Sequence, residues 1–252
     1  MHVQYAVRSE TGLKRSNNED SYRIELGDRQ TPPWNECFML FAVADGMGGH
    51  PCGEVASMLA CDGLADSLFT PGKGSWKDLQ DGLMKTFFYI DEQIRLYAGK
   101  NPDCEHMGTT LSVFVLSGGK AVITHVGDTR IYRLHDEKLR LLTTDHTFVQ
   151  EMMERGEVTA ETAETAPYHN ILTQVVGTDE PIEDVYSNTM DISPGDRILL
   201  SSDGLHDVVS FQEIEQIMKG GASPEDTAGQ LLSQAVAKNG RDDITPIVAH
   251  MT

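Results

Sequence analysis

The stretch from Phe38 to His50, FMLFAVADGMGGH, joins an apolar run to a single acid and a glycine-rich turn. Apolar residues at consecutive positions leave no solvent-facing side, so the run predicts a buried strand. Asp45 is the first charge after the run and is expected at the end of that strand. The glycines after it permit a sharp turn and a close approach of other groups. The arrangement indicates a metal or phosphate site, with an ordinary Asp-Gly turn as the alternative.

Composition restricts the classes of partner. The chain has 252 residues and a formal net charge of -19, which argues against nucleic acid or an anionic membrane as a partner because both need a basic surface. No run approaches the ~20 apolar residues of a membrane span, and the N-terminus lacks a basic region followed by an apolar core. These features predict a cytoplasmic protein, and we expect a monomer.

The cysteines point away from a zinc site. Cys37, Cys52, Cys61 and Cys104 form no CxxC pair, and the surroundings of Cys37 and Cys61 are apolar. This scatter is typical of reduced thiols in a cytosolic chain.

The order of predicted elements is strands, two helices, many strands, two helices and a last strand. Such segregation predicts an α+β fold with antiparallel sheets and helices packed outside. Two hairpin signals within residues 109–143 predict a meander of four successive strands, and residues 171–176 have a strand-like composition. Pro246 inside the last strand suggests an edge or a bulge. A loop is predicted over residues 27–36, which include Pro32 and Pro33, and helix starts are predicted at Ser75, Ser210 and Pro224. The polar, acidic residues 144–168 predict a lid or flap.

Acidic residues stand at several predicted element edges beside turns, and three of these positions adjoin a glycine. If the strand ends converge, the carboxylates would repel one another unless cations lie between them. An all-oxygen ligand set favours Mg²⁺ or Mn²⁺ over zinc, and a central carboxylate could bridge two ions that activate a water. Arg15 could bind a phosphoryl oxygen, so the pattern predicts hydrolysis of a phosphate ester without a covalent enzyme intermediate. The acids are Glu19, Asp20, Asp45, Asp128, Asp203 and Asp242.

The chain resembles the metal-dependent (PPM, or 2C-type) family of serine/threonine protein phosphatases in its compact bacterial form. The resemblance implies a four-layer α-β-β-α sandwich of two antiparallel sheets, a single domain over residues 1–252, and a flap at about 145–170. The matching segments occur in the family's order and span nearly the whole chain. They are Arg15–Asp20 (RSNNED), Val43–His50 (VADGMGGH), Met107–Thr110 (MGTT), His125–Arg133 (HVGDTRIYR), Leu142–His146 (LTTDH), Ser202–Leu205 (SDGL) and Arg241–Thr245 (RDDIT).

The resemblance assigns roles by position. Asp45 is similar to the carboxylate that bridges two catalytic ions, and the Gly46 carbonyl to a ligand of the first. Asp203 and Asp242 match ligands of the second ion, and Arg15 matches the arginine that binds substrate phosphate. Two further roles follow from the same match: Glu19 and Asp20 hold ion-bound waters, and Asp128 binds a third, weaker ion together with Asp203.

Three positions depart from the family pattern. Met47 replaces a histidine that many eukaryotic members carry as a proposed general acid, so the acid is not identified. Gln174 stands where many relatives have arginine. Asp243 replaces the usual asparagine and is expected either to strengthen cation binding or to face solvent.

These observations predict a bacterial Mg²⁺- or Mn²⁺-dependent phosphatase that acts on phosphoserine and phosphothreonine in proteins and opposes a Ser/Thr kinase. The alternatives are an inactive phosphoprotein-binding adaptor on the same fold, a cation-binding sensor, and a phosphatase for a small phosphorylated metabolite. The complete acidic set disfavours the adaptor, and Arg15 disfavours a pure cation site.

Overall fold

The computed structural model describes residues 1–28, 37–47, 52–68, 75–163, 168 and 170–252. Gly48, Gly49 and His50 of the glycine-rich turn lie outside the described residues, as does the predicted loop with Pro32 and Pro33. The strand predicted from the apolar run is present and ends at Asp45.

Two five-stranded antiparallel sheets form the centre of the fold. The first sheet contains, in spatial order, β2 (Asp20–Asp28), β3 (Cys37–Asp45), β4 (Leu111–Ser117), β5 (Lys120–Val126) and β8 (Tyr186–Asp191). The second contains β1 (Val3–Val7), β10 (Pro246–Met251), β9 (Arg197–Ser201), β6 (Arg130–His135) and β7 (Lys138–Leu141).

Helices cover the outer face of each sheet. Two capping boxes, at Ser75 and Ser210, begin α2 and α6, as the sequence predicts. Among the described residues, no helix is long and apolar enough to cross a membrane. The helices are α1 (Gly53–Leu68), α2 (Trp76–Lys100), a 3₁₀ helix (Pro102–Cys104), α3 (Phe148–Glu154), α4 (Ala160–Ala163), α5 (Asp203–His206), α6 (Phe211–Gly220) and α7 (Pro224–Ala237).

Three apolar clusters hold the layers together. Phe41 and Phe114 of the first sheet pack against Ile198 and Ile247 of the second, which forms the core between the sheets. A second cluster joins α1 and α2 to the outer face of the first sheet, and a third joins α6 and α7 to the second sheet. Because strands between two packed layers bury both faces, their sequences show continuous apolar runs. The predicted α+β sandwich of two antiparallel sheets is confirmed.

The prediction of one four-stranded meander is wrong. β4 pairs with β5 and β6 pairs with β7, but β5 pairs next with β8 and β6 with β9, so the two hairpins lie in different sheets. The chain crosses between the sheets at Gly127, where φ is +106° and a Cβ would lie 2.5 Å from the Thr110 side chain. Glycine is required there because an L side chain would be strained and would clash.

Two smaller strand predictions also need correction. β10 lies between β1 and β9, so it is not an edge strand, and Pro246 is its first residue, where proline is tolerated. Residues 171–176 form only isolated bridges, which include Leu172 to Thr147 and Val176 to Thr109.

The prediction of reduced cysteines is wrong for one pair. Cys52, just before α1, forms a disulfide with Cys104 of the 3₁₀ helix, and their Cα atoms are 5.3 Å apart. The two residues are separated by 52 positions, so spacing alone carries no sign of their proximity, which the packing of α1 on α2 creates. Cys61 is a free, buried thiol in α1.

Candidate active site

A cavity of about 690 Å³ opens at one end of the two sheets. Arg15 and four of the predicted acids line it together: Asp45, Asp128, Asp203 and Asp242. These five residues come from five separate segments of the chain, so the tertiary fold brings together what the sequence only suggests.

The backbone around Asp45 is fixed from the neighbouring segment. The Asp45 amide donates to the Thr110 hydroxyl (3.0 Å), and the Asp45 carbonyl accepts from the Thr110 amide and the Thr109 hydroxyl (2.8 Å each). The Thr109-Thr110 pair therefore sets the direction in which the Asp45 carboxylate leaves the strand. Both threonines belong to the MGTT segment, which was the sequence signal for this support.

Glu19 and Asp20 stand beside the cavity but are not among its lining residues. Asp20 is paired with Asp45 across β2 and β3, and one of its carboxylate oxygens accepts from the Ser202 hydroxyl at 2.6 Å. Glu19 accepts from the Arg15 guanidinium at 3.0 Å. Both residues are therefore placed to orient groups around Asp45 and Arg15, and their assigned role with ion-bound water stays a prediction.

Several carboxyl groups in and beside the cavity have raised pKa values. Asp45 and Asp203 are partly accessible from the cavity, yet desolvation, followed by repulsion from the neighbouring aspartates, raises the pKa of each carboxyl well above its usual range. Burial likewise raises the pKa of Asp20 and of Asp128 to about 7. One oxygen of Asp203 and one of Asp20 are buried without a hydrogen-bond partner. Such a group of carboxylates favours cations, because a cation removes the repulsion and satisfies the free oxygens.

Arg15 lies next to this group and is held by two of its acids. Its guanidinium donates two hydrogen bonds to the Asp242 carboxylate, both at 2.7 Å, and one to Glu19 at 3.0 Å. The hydrogen bonds to Asp242 are the main cause of a raised Arg15 pKa. A guanidinium has five N–H donors, so two remain for a phosphoryl oxygen while these contacts persist.

The donor set fits hard divalent ions that keep part of their water shell. Among the described residues, no group of three His, Cys, Asp or Glu side chains is close enough to hold an ion by itself. Mg²⁺ is usually bound through one or two carboxylates with several waters retained, so separated carboxylates around one cavity suit it. The carboxylate oxygens of Asp45, Asp128, Asp203 and Asp242 suit Mn²⁺ as well.

The structure shows what surrounds the three residues that depart from the family pattern. Met47 lines the cavity, whereas Gln174 does not, and its side chain accepts from the Glu183 amide at 3.0 Å. Asp243 is only 2% exposed, so the expectation that it faces solvent is wrong. Its two oxygens accept from the amides of Gly12 and Glu19, a contact that sequence reasoning missed because it joins residues more than 220 positions apart.

Comparison with known proteins agrees with this geometry. The family model described as Protein phosphatase 2C matches residues 15–238. The chain is 34% identical over 250 residues to the serine/threonine phosphatase stp of Listeria innocua, which covers 98% of this chain and 95% of that protein.

Solved structures give the same result. The serine/threonine phosphatase of S. agalactiae superposes with a TM-score of 0.89 at 27% identity and covers the whole of both chains. The catalytic domain of the phosphatase PstP, solved in complex with two manganese ions, has a TM-score of 0.82 at 34% identity over 99% of this chain and 98% of that one. The chain belongs to the protein phosphatase 2C family and is a protein serine/threonine phosphatase.

Proposed function

We propose that Asp45, Asp203 and Asp242, with the Gly46 carbonyl, hold the two divalent ions with which this phosphatase hydrolyses phosphoserine and phosphothreonine in proteins. The observation that carries the proposal is the convergence of these acids and Arg15 on one cavity, with two buried carboxylate oxygens left without a partner. When bound, Mg²⁺ or Mn²⁺ supplies a water of lowered pKa and charge that stabilises the phosphoryl oxygens.

The protein side chains supply position and charge. Asp45, whose backbone is fixed by Thr109 and Thr110, lies at the end of β3 and would hold the ions there. The two free N–H groups of Arg15 bind a phosphoryl oxygen of the substrate and orient the ester for attack. Ser202, which precedes Asp203, donates to the Asp20 carboxylate and accepts from the Thr245 amide. It therefore connects the segments that carry Asp20 and Asp203 to the residue just before β10.

A third, weaker ion is assigned to Asp128 and Asp203. Both residues line the cavity, and repulsion from Asp128 is the largest charge contribution to the raised pKa of Asp203, which supports this assignment. One Asp203 oxygen is buried and unpartnered. An ion there would reduce the repulsion, and it would share Asp203 with the first pair of ions while adding Asp128 as a ligand.

Residues 145–170 serve as a flap that influences which substrates enter. Within the described part of this segment, Val149 and Ala163 form a small apolar cluster with Met153, Val158 and Tyr168, separate from the main cores. Asn170 at its end lines the cavity. A segment with its own small cluster can differ in position or sequence without disturbing the sheets.

The relatives' names support the physiological setting that we propose. Stp and PstP are serine/threonine phosphatases of bacteria, so this chain acts in signalling, on phosphoproteins produced by a Ser/Thr kinase, in the cytoplasm.

The test is phosphate release from a phosphothreonine peptide with Mn²⁺, with Mg²⁺ and after chelation, together with ion counting by titration calorimetry. We expect release only with a divalent ion, and at least two bound ions per chain. An Asp45→Asn variant that binds both ions and turns over normally at limiting Mn²⁺ would falsify the assigned ligand set. Folded protein that releases no phosphate with any divalent ion supports the adaptor alternative instead.

A further inference from the structure

Asp243 holds both ends of the loop that carries Arg15. It is buried at 2% exposure, and its Oδ1 accepts from the Gly12 amide at 2.9 Å while its Oδ2 accepts from the Glu19 amide at 2.7 Å. It is absent from the lining of the cavity, so its carboxylate acts on the loop and not on substrate.

The loop also lies directly on the backbone beside Asp243. A Cβ at Gly12 would be 2.3 Å from the carbonyl carbon of Asp242, so only glycine permits this approach. The Lys14 amide donates to the Arg241 carbonyl at 3.3 Å, and the Arg15 guanidinium donates two hydrogen bonds to the Asp242 carboxylate. Residues 241–243 therefore fix Arg15 through its side chain and through the backbone on both sides of it.

We propose that Asp243 is a positioning residue for phosphate binding, because it sets the place of Arg15 through the Gly12 and Glu19 amides. This inference rests on the proposed role of Arg15. A carboxylate suits the task because both oxygens accept, whereas asparagine has one acceptor and would point an NH₂ group at a second N–H donor. The family's usual residue would thus lose one of the two contacts.

The test is a graded series at saturating Mn²⁺. Asp243→Asn should raise KM for a phosphothreonine peptide about fivefold and Asp243→Ala about 25-fold, the scale of one and two hydrogen bonds of about 1 kcal/mol each, with kcat much less affected. The dissociation constant of inorganic phosphate, measured by calorimetry, should rise in parallel. In an Arg15→Lys background the Asp243→Asn change should add little to KM, because its effect passes through Arg15.

Asp91→Asn is the matched control. Asp91 is 1% exposed and accepts from the Gly177 amide at 2.8 Å, but it does not line the cavity. It should lower thermal stability without changing KM. An unchanged KM and phosphate affinity in Asp243→Asn, or a change equal to that of Asp91→Asn, overturns the proposal, while an inactive wild type would instead overturn the proposed function.

The Cys52–Cys104 disulfide carries a second, independent inference. Cys52 precedes α1, and its carbonyl accepts from the amides of Val55 and Ala56 at 3.1 Å each. Its φ of +62° lies in the left-handed region, which is uncommon for a residue with a Cβ. Cys104 is 7% exposed, and its carbonyl accepts from the Met107 amide at 3.2 Å.

Backbone near each end of this bond contacts the proposed ligand Gly46 or its neighbour Met47. Gly53 follows Cys52, and a Cβ at Gly46 would lie 2.2 Å from the Gly53 carbonyl oxygen, so the two backbones are in direct contact. On the other side, the Met47 amide donates to the Gly108 carbonyl at 3.0 Å, four residues after Cys104. The disulfide thus ties together the two backbone segments that flank Gly46.

We propose that Cys52 and Cys104 form a reversible redox site that tunes ion binding at Asp45 and Gly46. The oxidant is a peroxide: one thiolate attacks a peroxide oxygen and becomes a sulfenic acid as the first water leaves, and the second thiol then displaces the second water to form the S–S bond. Two thiols lose two electrons and two protons, and the peroxide takes them up. A dithiol reductant reverses the change by thiol–disulfide exchange.

Opening the bond removes the covalent tether between the two segments beside Gly46, so the reduced protein should bind ions more weakly. We expect the dissociation constant for Mn²⁺ to rise about fivefold or more on reduction, the lower end of typical coupling between two sites. Calorimetry on protein reduced with a phosphine and then freed of it measures this directly, and intact mass confirms the gain of two hydrogens.

Three variants make the test specific. Cys52→Ser and Cys104→Ser should have the same dissociation constant for Mn²⁺ as the reduced wild type, and reductant should not change it. Cys61→Ala should behave as wild type, because Cys61 takes no part in the bond and burial raises the pKa of its thiol to about 12, which makes it unreactive. Equal Mn²⁺ affinity in both redox states, or failure of the thiols to re-form the bond with hydrogen peroxide, overturns this proposal. Absence of Mn²⁺ binding in either state overturns the proposed ligand set.

Discussion

An acid lies just beyond each end of strand β9, and the two acids have opposite environments. At the end far from the cavity, Asp196 is 1% exposed and accepts from the side chains of Arg133 (2.5 Å) and His135 (2.6 Å) and from the Ser193 amide (2.8 Å). At the other end, Asp203 faces further carboxylates and keeps one buried oxygen without a partner.

The difference separates a structural acid from a functional one. A buried carboxylate normally costs stability unless it is paired and hydrogen-bonded, and Asp196 meets that condition with groups of its own chain. Asp203 does not meet it, so its environment is complete only with a cation from outside. Buried acids that lack partners in the protein therefore identify the ion-binding end of the fold better than acidic composition does.

The largest expected effect is that of Asp203→Asn. Its kcat/KM should fall by at least about 10³-fold, because a preorganised charge-stabilising group is lost. The same change removes a repelled charge, so the thermal midpoint of the chelated protein should rise. Phosphopeptide kinetics and differential scanning fluorimetry with a chelator measure the two effects. A variant that keeps its activity, or melts lower when chelated, would break the comparison.

Asp196→Asn should lower the stability of the protein and leave its activity unchanged. Loss of one partner from a buried ion pair leaves Arg133 uncompensated and should lower the free energy of unfolding by about 3 kcal/mol. Urea unfolding measures this, and kcat/KM of the folded variant should equal that of wild type. Asp191→Asn is the control, since Asp191 is an exposed acid of β8 and should change stability by less than about 0.5 kcal/mol.

Asp128→Ala tests whether Asp128 holds the proposed third ion. Turnover should fall about tenfold, the lower range for loss of a residue that supports a metal site, while two ions stay bound. Counting Mn²⁺ by calorimetry distinguishes this from a general loss of binding. If the number of ions and the turnover both stay at the wild-type values, Asp128 holds no ion.

The last prediction is a pH dependence of the stability of the ion-free protein. Asp20 and Asp128 have a folded pKa raised to about 7 from 3.8, so between these values the folded state holds protons that the unfolded state has lost. The stability of chelated protein should therefore fall as pH rises from about 4 to 7, by at most about 1.4 kcal/mol per pH unit for each proton. Saturating Mn²⁺ should remove this fall, because it stabilises the ionised carboxylates. Midpoints measured from pH 5 to 8 with and without Mn²⁺ would show it, and a flat profile in chelator would contradict the raised pKa values.

Local patterns predicted much of the fold. The apolar run before Asp45, the capping boxes at Ser75 and Ser210, and Pro224 at the start of α7 are each decided by neighbours within a few residues, and the structure contains all of them. The predicted antiparallel α+β sandwich is likewise present. These features depend on periodicity and backbone chemistry, which a single sequence displays directly.

Partners distant along the chain could not be predicted in the same way. The meander failed because a strand's pattern shows that both its faces are buried but not which strand pairs with it. The disulfide between Cys52 and Cys104 and the contacts of Asp243 with Gly12 and Glu19 join distant segments and leave no local mark. Glu19 and Asp20 were predicted to lie with the other acids, and only the structure shows that they are not among the residues that line the cavity.

The sequence by itself determined the chemistry available to this protein: oxygen ligands at strand ends, glycine where the backbone turns, one arginine beside the acids, and a family resemblance that the comparisons confirm. Only the tertiary structure decided which acids share a cavity, which are neutralised by the chain's own cations, and which cysteines meet. The physical reason is that side-chain chemistry is local, whereas desolvation, charge repulsion and pairing depend on residues that become neighbours only when the two sheets pack together.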